Sequence, residues 1–266
     1  MPTTIAVLSQ KGGTGKTTAV RTLADVLSRA GVPTLLIDLD PQGNLSDYLD
    51  VPSDAEPTIA DVLGDRATVA QAVHADADVV PANLSLAEAE LALGGKIGRE
   101  LTLRRALATA PEGYELTLID CPPSLGLLTV NALAAADYAL ITVEAQYFAL
   151  QGAEQAMEVV KLARDALQGD LQLLGVLLNL ADMRTVHSRE ALTSLKERFG
   201  EKVFDTVIRS SIAYAESAER AVSILDHRPD LGADYLALAE EVLARLQGFE
   251  DARLRVAQLA REGTYS

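Results

Sequence analysis

A glycine-rich segment near the amino end of the sequence has the residue types and spacing of a phosphate-binding loop. It reads Gln10-Lys11-Gly12-Gly13-Thr14-Gly15-Lys16-Thr17-Thr18, follows a short apolar run and opens a helical pattern, which is the context that a P-loop requires. Glycines let backbone N–H groups point at phosphate oxygens, and the following helix N-terminus adds a partial positive charge. We therefore expect residues 11–18 to bind a nucleotide, with Lys16 on its β- and γ-phosphates and the Thr17 hydroxyl on Mg²⁺.

Two later segments carry carboxylates that suit a metal-bound nucleotide. Residues 35–40 and 116–120 form apolar runs that end in aspartate, at Asp38 and Asp40 in the first and at Asp120 in the second. Open α/β sheets bind their ligands at the carboxyl ends of the strands. We expect Asp120 to hold Mg²⁺, directly or through water, at the same edge of the sheet as the loop.

Short apolar runs alternate with helical patterns along the chain, which is typical of a mostly parallel sheet with helices on both faces. Candidate strands cover residues 4–9, 33–38, 78–80, 116–120, 138–143, 172–178 and 202–208. Candidate helices cover residues 17–30, 84–93, 101–110, 127–135, 152–166, 188–199 and 233–246. We predict a single-domain α/β P-loop NTPase with a mostly parallel, twisted sheet over residues 1–247, a mobile loop at 41–58, and a C-terminal tail or short helix at 248–266.

The composition excludes several classes of protein. Apolar residues make up 48% and charged residues 23% of the 266 residues, close to globular averages, which excludes a disordered or fibrous chain. A single cysteine, Cys121, excludes intramolecular disulfides and a cysteine-ligated zinc or iron–sulfur site within one chain. The most apolar long stretch, residues 124–150, contains Asn131, Asp137 and Glu144, so we expect no membrane span. Without the basic start of a secretory signal, we expect a cytoplasmic protein.

Three strings of the sequence together resemble one family. KGGTGKTT with its extra lysine, DLDPQGN at residues 38–44 and DCPPSLGLLTVNAL at residues 120–133 are similar to the ParA/MinD group of deviant-Walker ATPases, most of all to small ParA-type partition ATPases. The resemblance extends over about residues 4–246. It implies a homodimer with ATP sandwiched between the subunits, ATP and Mg²⁺ as cofactors, and a slow ATPase that a partner stimulates.

The resemblance also implies roles for individual residues. Lys11 matches the signature lysine, which crosses the dimer interface to the partner's phosphates. Asp40 matches the residue that positions the attacking water, and Asp38 lies close to the metal. Asn179 ends an apolar run at the position where relatives contact the base, so it is a candidate for adenine recognition, with a turn-forming asparagine as the alternative. Arg209, next to a family arginine position, is a further candidate for nucleotide binding.

Relatives bind duplex DNA nonspecifically through basic residues in the C-terminal third, where this chain departs from the family pattern. The two family arginines fall on Ser210 and Ala213. The formal charge of −15 disfavours electrostatic binding to DNA by the whole surface. Residues 184–228 nevertheless hold eight basic and seven acidic side chains. The candidates for a local DNA-binding patch are Arg184, Arg189, Lys196 and Arg209.

The leading functional hypothesis is an ATP-driven positioning enzyme that is associated with the nucleoid. Its ATP-bound dimer would bind DNA, and a ParB-like or cargo-adaptor protein would stimulate hydrolysis to segregate DNA or position a protein cargo. The alternative is a MinD-like, membrane-associated regulator of cell division, which needs a C-terminal amphipathic helix. Residues 253–261 have few bulky apolar residues, so we expect no membrane partner. A reductase like nitrogenase iron protein needs bridging cysteines, and Cys121 alone does not fit that class.

Overall fold

Six parallel strands form the central sheet of the computed structural model, within the residues that it describes, 2–167 and 169–263. In the spatial order β3-β2-β4-β1-β5-β6, the strands are Val79–Val80, Thr34–Asp38, Leu116–Asp120, Thr3–Leu8, Tyr138–Glu144 and Gln172–Asn179. Strand β4 lies between β1 and β2, with Asp120 in register with Asp38 on β2 and with Val7 on β1. The loops that follow these three strands therefore meet at one edge of the sheet.

Helices cover both faces of this sheet. In chain order they are α1 Lys16–Arg29, α2 Asn44–Tyr48, α3 Ile59–Leu63, α4 Val69–Ala72, α5 Ser85–Leu93, α6 Thr102–Leu107, α7 Leu127–Ala135, α8 Ala149–Ala166, α9 Val186–Phe199, α10 Ala213–Glu219, α11 Ile224–His227, α12 Pro229–Ala244 and α13 Glu250–Glu262. All seven predicted helices are present, with shifted ends in most of them.

Alternating side chains of the strands pack into two separate hydrophobic cores, one on each face of the sheet. In β1, Ala6 and Leu8 pack into the core that includes α3 and α5–α9, whereas Ile5 and Val7 pack into the core formed with α1 and α12. Successive side chains of a strand point to opposite faces, so a strand covered on both sides must be apolar throughout. The predicted parallel sheet with helices on both faces is confirmed.

The seventh predicted strand, at residues 202–208, is wrong. This segment follows a 3₁₀ turn at Gly200–Lys202 and has one isolated bridge to β6, between Val176 and Val203. Its Phe204 and Ile208 backbone N–H groups also donate to β6 carbonyl oxygens, at 3.0 and 3.1 Å, without forming a continuous ladder. The backbone N–H groups of Asp205 and Thr206 donate to the Glu241 carboxylate of α12, at 2.9 and 3.0 Å. Since a side chain occupies these donors, the segment does not continue the ladder of the sheet.

The segment at 41–58, predicted as a mobile loop, is partly helical and anchored. Helix α2 begins within it, and both Leu45 and Ser46 are buried. The Ser46 backbone N–H and hydroxyl donate to the Asp38 carboxylate at the end of β2, at 3.0 and 2.7 Å. This contact fixes the turn that carries residues 40–46 against the sheet.

The C-terminal helix α13 packs against α12 and α1. Its Ala252 and Val256 side chains are buried in the same core as those two helices, and Arg255 donates to the carbonyl oxygen of Ala30. The last three residues of the predicted 248–266 segment, 264–266, lie outside the described residues. None of the described helices is both long enough and apolar enough to cross a membrane.

Candidate active site

The glycine-rich loop joins β1 to α1 and adopts a backbone shape that its glycines permit. Gly13 and Gly15 have φ angles of 77° and 76°, in the left-handed region that favours glycine. Gly15 immediately precedes α1, whose first-turn N–H groups have no partner within the helix, and no acidic residue lies in that first turn. The loop therefore offers backbone donors and the positive end of a helix dipole to an anion.

The two lysines of the loop lie in different environments. Lys16 is only 5% exposed, and its ammonium is close enough to Asp120 to lower the pKa of that carboxyl group. Lys11 is exposed at the rim, with its Nζ atom 5.8 Å from the centre of the Phe148 ring. Only Lys16 is therefore positioned inside the site of its own chain.

Asp120 lies at the centre of the site. Its side chain is fully buried, and neither carboxylate oxygen has a hydrogen-bond partner among the described residues. Burial first and the neighbouring Asp38 second raise the pKa of Asp120 to about 8, against the opposing effects of the Thr17 hydroxyl and the Lys16 ammonium. A buried carboxylate without a partner is costly, so this position favours a bound cation.

The oxygen atoms at this position fit Mg²⁺ that is held together with a nucleotide. Asp120 supplies carboxylate oxygens and Thr17 a hydroxyl oxygen, and Mg²⁺ prefers such ligands. No cluster of three or more histidine, cysteine, aspartate or glutamate side chains suited to a metal occurs in the described part of the chain. Mg²⁺ commonly takes one or two protein oxygens and completes its shell with phosphate oxygens and water. Asp120 and Thr17 are therefore the residues that would hold it.

Asp38, predicted close to the metal, lies in register with Asp120 and is held by hydrogen bonds from the turn that follows β2. One of its oxygens accepts both bonds from Ser46, and the other accepts the backbone N–H of Asp40 at 3.1 Å. Burial nevertheless raises the pKa of Asp38 to about 6. Its carboxylate anchors the turn and acts on Asp120 through its charge, and its predicted contact with the metal stays a prediction. Asp40 is nearly buried on this turn, where its Oδ1 atom accepts the backbone N–H of Gln42 at 3.0 Å.

Asn179, predicted to contact the base, contacts the phosphate-binding loop in this structure. Its side chain is fully buried at the end of β6, and Nδ2 donates to the carbonyl oxygens of Thr14 and Gly15, at 2.9 and 3.2 Å. Oδ1 accepts the backbone N–H of Leu180 at 2.8 Å. The amide of Asn179 is therefore engaged by the loop in this structure, and its contact with a base stays a prediction.

Sequence reasoning missed two residues that support the site. Ser46 holds the Asp38 carboxylate, and the Thr142 hydroxyl on β5 lies 3.1 Å from the Thr14 hydroxyl inside the loop. A signal for Thr142 is available, because it is a polar residue within the otherwise apolar run 138–143. The only signal for Ser46 is its place in a polar turn, which does not single it out.

The chain is similar to partition proteins along most of its length. Residues 2–173 match the family model described as AAA domain. The sporulation initiation inhibitor protein Soj of Bacillus subtilis is 41% identical over 247 residues, which cover 90% of this chain and 98% of that protein. The chromosome partitioning protein ParA of Caulobacter vibrioides is 38% identical over 250 residues, which cover 91% and 94% of the two chains. The chain belongs to the ParA/MinD family of P-loop ATPases.

Solved structures of relatives contain the expected ligands. The cobyrinic acid a,c-diamide synthase of Mycobacterium smegmatis, solved with an ATP analogue and magnesium, superposes with a TM-score of 0.75 at 36% identity. The match covers 82% of this chain and 93% of that protein. This ParA/MinD-family chain and that structure therefore share the fold that surrounds the nucleotide.

Three of the four candidate DNA-binding residues of this ParA/MinD-family chain are ion-paired. Arg184 binds Asp182 and Lys196 binds Asp205, each at 2.8 Å. Arg189 donates to the carbonyl oxygens of Met183 and Arg184, at 3.0 and 2.7 Å, so the two arginines are neighbours. Carboxylates thus pair with two of these three candidates, Arg184 just before α9 and Lys196 on it.

Arg209 is the third ion-paired candidate, and its predicted contact with the nucleotide stays a prediction. Its backbone bridges to Ala181 after β6, while its guanidinium pairs with Asp234 of α12 at 2.8 Å and donates to the carbonyl oxygen of Asp230. The Asp234 contact raises the pKa of Arg209. The side chain therefore joins the segment after residue 208 to α12.

Cys121 follows Asp120 directly and is fully buried. Burial, with a smaller effect of the Asp120 charge, raises the pKa of its thiol far above the usual range. A cluster that bridges two subunits needs accessible thiolates. The position of Cys121 therefore disfavours a reductase of the nitrogenase iron protein type.

Proposed function

We propose that this chain is an ATP-dependent partition or positioning ATPase whose ATP-bound form is a homodimer with the nucleotides between its subunits. The observation that carries the proposal is the contrast between the two lysines of the loop. Lys16 is buried beside Asp120 and serves the nucleotide of its own chain, whereas Lys11 is exposed at the rim and free to reach a second subunit. ATP with Mg²⁺ is the cofactor, and its hydrolysis to ADP and phosphate is the reaction.

Exposed apolar side chains beside the loop support self-association. Tyr147 and Phe148 are 83% and 57% exposed, and their rings meet edge to face at 5.0 Å directly beside Lys11. Gly12 of the loop also lies against Pro123, in the connection between β4 and α7. Glu90 of α5 reaches Gly126 in that connection, and the neighbouring Leu91 is exposed. Exposed aromatic and aliphatic side chains around a charged site are typical of an interface core. A second copy of the same surface is the partner that this arrangement fits.

Hydrolysis in such a dimer requires positioning rather than a covalent intermediate, since phosphoryl transfer is catalysed mainly by orientation and charge. Asp40, held by the turn that Asp38 anchors, would orient the attacking water. Lys16 and the partner subunit's Lys11 would stabilise the charge that develops on the transferred and leaving phosphate oxygens. The Mg²⁺ held by Asp120 and Thr17 would neutralise charge on the β- and γ-phosphates. A partner that improves the alignment of Asp40 would accelerate this slow reaction.

We further propose that the ATP-bound dimer binds duplex DNA weakly and without sequence preference, in association with the nucleoid. Arg184 and Arg189 are the side chains that this surface would use first, because they are adjacent. A dimer presents two copies of each, and the number of phosphates neutralised sets the affinity and its salt dependence. A ParB-like protein or cargo adaptor would stimulate hydrolysis and release the subunits from DNA.

The membrane-associated alternative is less well supported by the C-terminal helix. A helix that binds a membrane surface needs an exposed apolar face. In α13, Ala252 and Val256 are buried against the rest of the chain, and Leu254 is the one large apolar side chain of this helix that is strongly exposed in the described residues. The apolar face of α13 is thus already buried against the rest of the chain.

The experiment that tests the proposal is light scattering of the protein with ATP, with ADP and without nucleotide. We expect a dimer with ATP alone. Lys11→Ala should remain monomeric with ATP while binding the nucleotide as the wild type does, because Lys11 acts across the interface. Lys161→Ala, which removes an exposed lysine from α8, is the matched control and should dimerise normally. A monomeric wild type with bound ATP, or a normal dimer of Lys11→Ala, would refute the proposal.

A further inference from the structure

Asn179 occupies an unusual position for an asparagine at the end of a strand. Its side chain is fully buried and directed at the backbone of the phosphate-binding loop, 164 to 165 residues earlier in the chain. A Cβ atom built on Gly15 would lie 2.5 Å from its Nδ2 atom. The glycine at this position therefore provides both the left-handed φ angle and the space that the amide of Asn179 occupies.

The two bonds from Asn179 help to determine where the loop donors point, together with the backbone N–H of Ala19 in α1, which donates to the same Gly15 carbonyl oxygen at 2.9 Å. In a trans peptide the C=O and the following N–H point in opposite directions, because the unit is planar. The carbonyl of Thr14 shares a peptide with the N–H of Gly15, and the carbonyl of Gly15 shares one with the N–H of Lys16. Both carbonyls are turned toward Asn179. Both N–H groups are therefore turned away from Asn179, on the side where the loop receives an anion.

We infer that Asn179 is a positioning residue that orients the Gly15 and Lys16 N–H groups toward the phosphates of the nucleotide, whatever base the nucleotide carries. This inference rests on the proposed nucleotide binding and deepens it. The Thr14–Thr142 hydroxyl contact holds the preceding part of the loop from β5, so β5 and β6 both fix the phosphate cradle before the ligand arrives. Such preorganisation contributes to the affinity for the triphosphate group itself.

The inference is tested by comparing MgATP with inorganic tripolyphosphate, which has the phosphates but neither base nor sugar. Affinities for Asn179→Ala and Asn179→Asp are measured by calorimetry and competition, well below each protein's unfolding midpoint. We expect each variant to lose about tenfold in affinity for both ligands, by the same factor, which is about 1.4 kcal/mol. Asn179→Asp keeps the shape and removes both donors, so it should lose at least as much as Asn179→Ala.

A matched control is available in Asn131 of α7. This asparagine is also fully buried, accepts the backbone N–H of Leu103 at 3.1 Å and donates to the carbonyl oxygen of Leu127 at 3.0 Å, without contacting the loop. Asn131→Ala should lower the unfolding midpoint and leave both affinities unchanged. If it lowers them as Asn179→Ala does, the effect is one of general stability and the inference is wrong.

The other outcomes are also decisive. A loss of affinity for MgATP alone, with tripolyphosphate unaffected, would assign Asn179 to the base and overturn the inference. Unchanged affinities in both variants would show that the loop needs no support from Asn179. A wild type that binds ATP but not tripolyphosphate would show that the cradle is not preformed, which also overturns it. A wild type that binds neither ligand would instead refute the proposed function.

Discussion

Replacing Asp120 with asparagine should stabilise the nucleotide-free protein and abolish its response to MgATP. The carboxyl and amide groups have nearly the same shape, and this position is fully buried. The pKa of Asp120 is raised from 3.8 to about 8, so near neutral pH the folded chain takes up a proton that the unfolded chain does not bind. Asparagine is neutral in both states and removes this requirement.

The sign and size of the effect follow from proton linkage. A carboxyl group whose pKa is raised in the folded state makes the protein less stable as the pH rises. For Asp120, the free energy of unfolding falls between pH 3.8 and about pH 8. Within this range, the free energy of unfolding falls by about 1.4 kcal/mol for each pH unit. Between about pH 5 and about pH 7, the free energy of unfolding of the wild type should fall by up to about 3 kcal/mol because of Asp120. That of D120N should not show this contribution. Asp38, whose pKa is raised to about 6, adds a loss of the same sign to both proteins.

The measurement is urea unfolding of both proteins at the two pH values, in the presence of a chelator. The control is Asp170→Asn, which removes an exposed carboxylate just before β6, at the opposite end of the sheet from the site. Adding MgATP at neutral pH should then raise the stability of the wild type and leave D120N unchanged, because the variant lacks the carboxylate that holds Mg²⁺. An equal loss of stability in wild type and D120N, or a D120N that is less stable at neutral pH, would refute the reasoning.

Four further predictions concern the nucleotide, its hydrolysis, the dimer and DNA. Lys16→Ala should lower the affinity for MgATP at least about tenfold in a binding titration, since it removes a buried charged donor, and Asp40→Ala should accumulate the ATP-bound dimer because phosphate release is slowed. Phe148→Ala should weaken that dimer in light scattering, whereas Leu162→Ala, which removes a 63% exposed side chain elsewhere on α8, should not. Arg189→Glu should weaken the retardation of duplex DNA at low salt with ATP, and undiminished binding would contradict the proposed surface.

The sheet and the ends of its strands could be predicted because they depend on local patterns. Buried parallel strands are continuous apolar runs, and the glycine-rich loop has a spacing that few other structures require. Asp120 could be predicted because it ends an apolar run, and in the structure the end of β4 lies beside the end of β1. The site was therefore predictable wherever backbone geometry decides it.

The partners of individual side chains could not be predicted, because they join residues far apart in the sequence. Glu241 takes the N–H groups of residues 205 and 206, which removes an expected strand. Asn179 reaches Thr14 across 165 residues, a contact with the loop that the apolar run before Asn179 does not indicate. Periodicity and propensity contain no information on such contacts, since they describe only neighbours along the chain.

The ion pairs beside α9 show why a count of charges does not locate a DNA-binding surface. Residues 184–228 hold eight basic and seven acidic side chains, yet Arg184, Lys196 and Arg209 each have a carboxylate oxygen at 2.8 Å. Exposed ion pairs are weak, so a DNA phosphate displaces such a carboxylate at little cost. The displaced carboxylate then lies beside the phosphate as a like charge, so the net gain from each residue is also small. Binding through such residues needs many contacts at once, and dimerisation doubles the contacts without changing any of them. Under the proposed function, a weak surface of this kind would therefore be well suited to control by ATP, because one subunit alone would gain too little from DNA to remain bound.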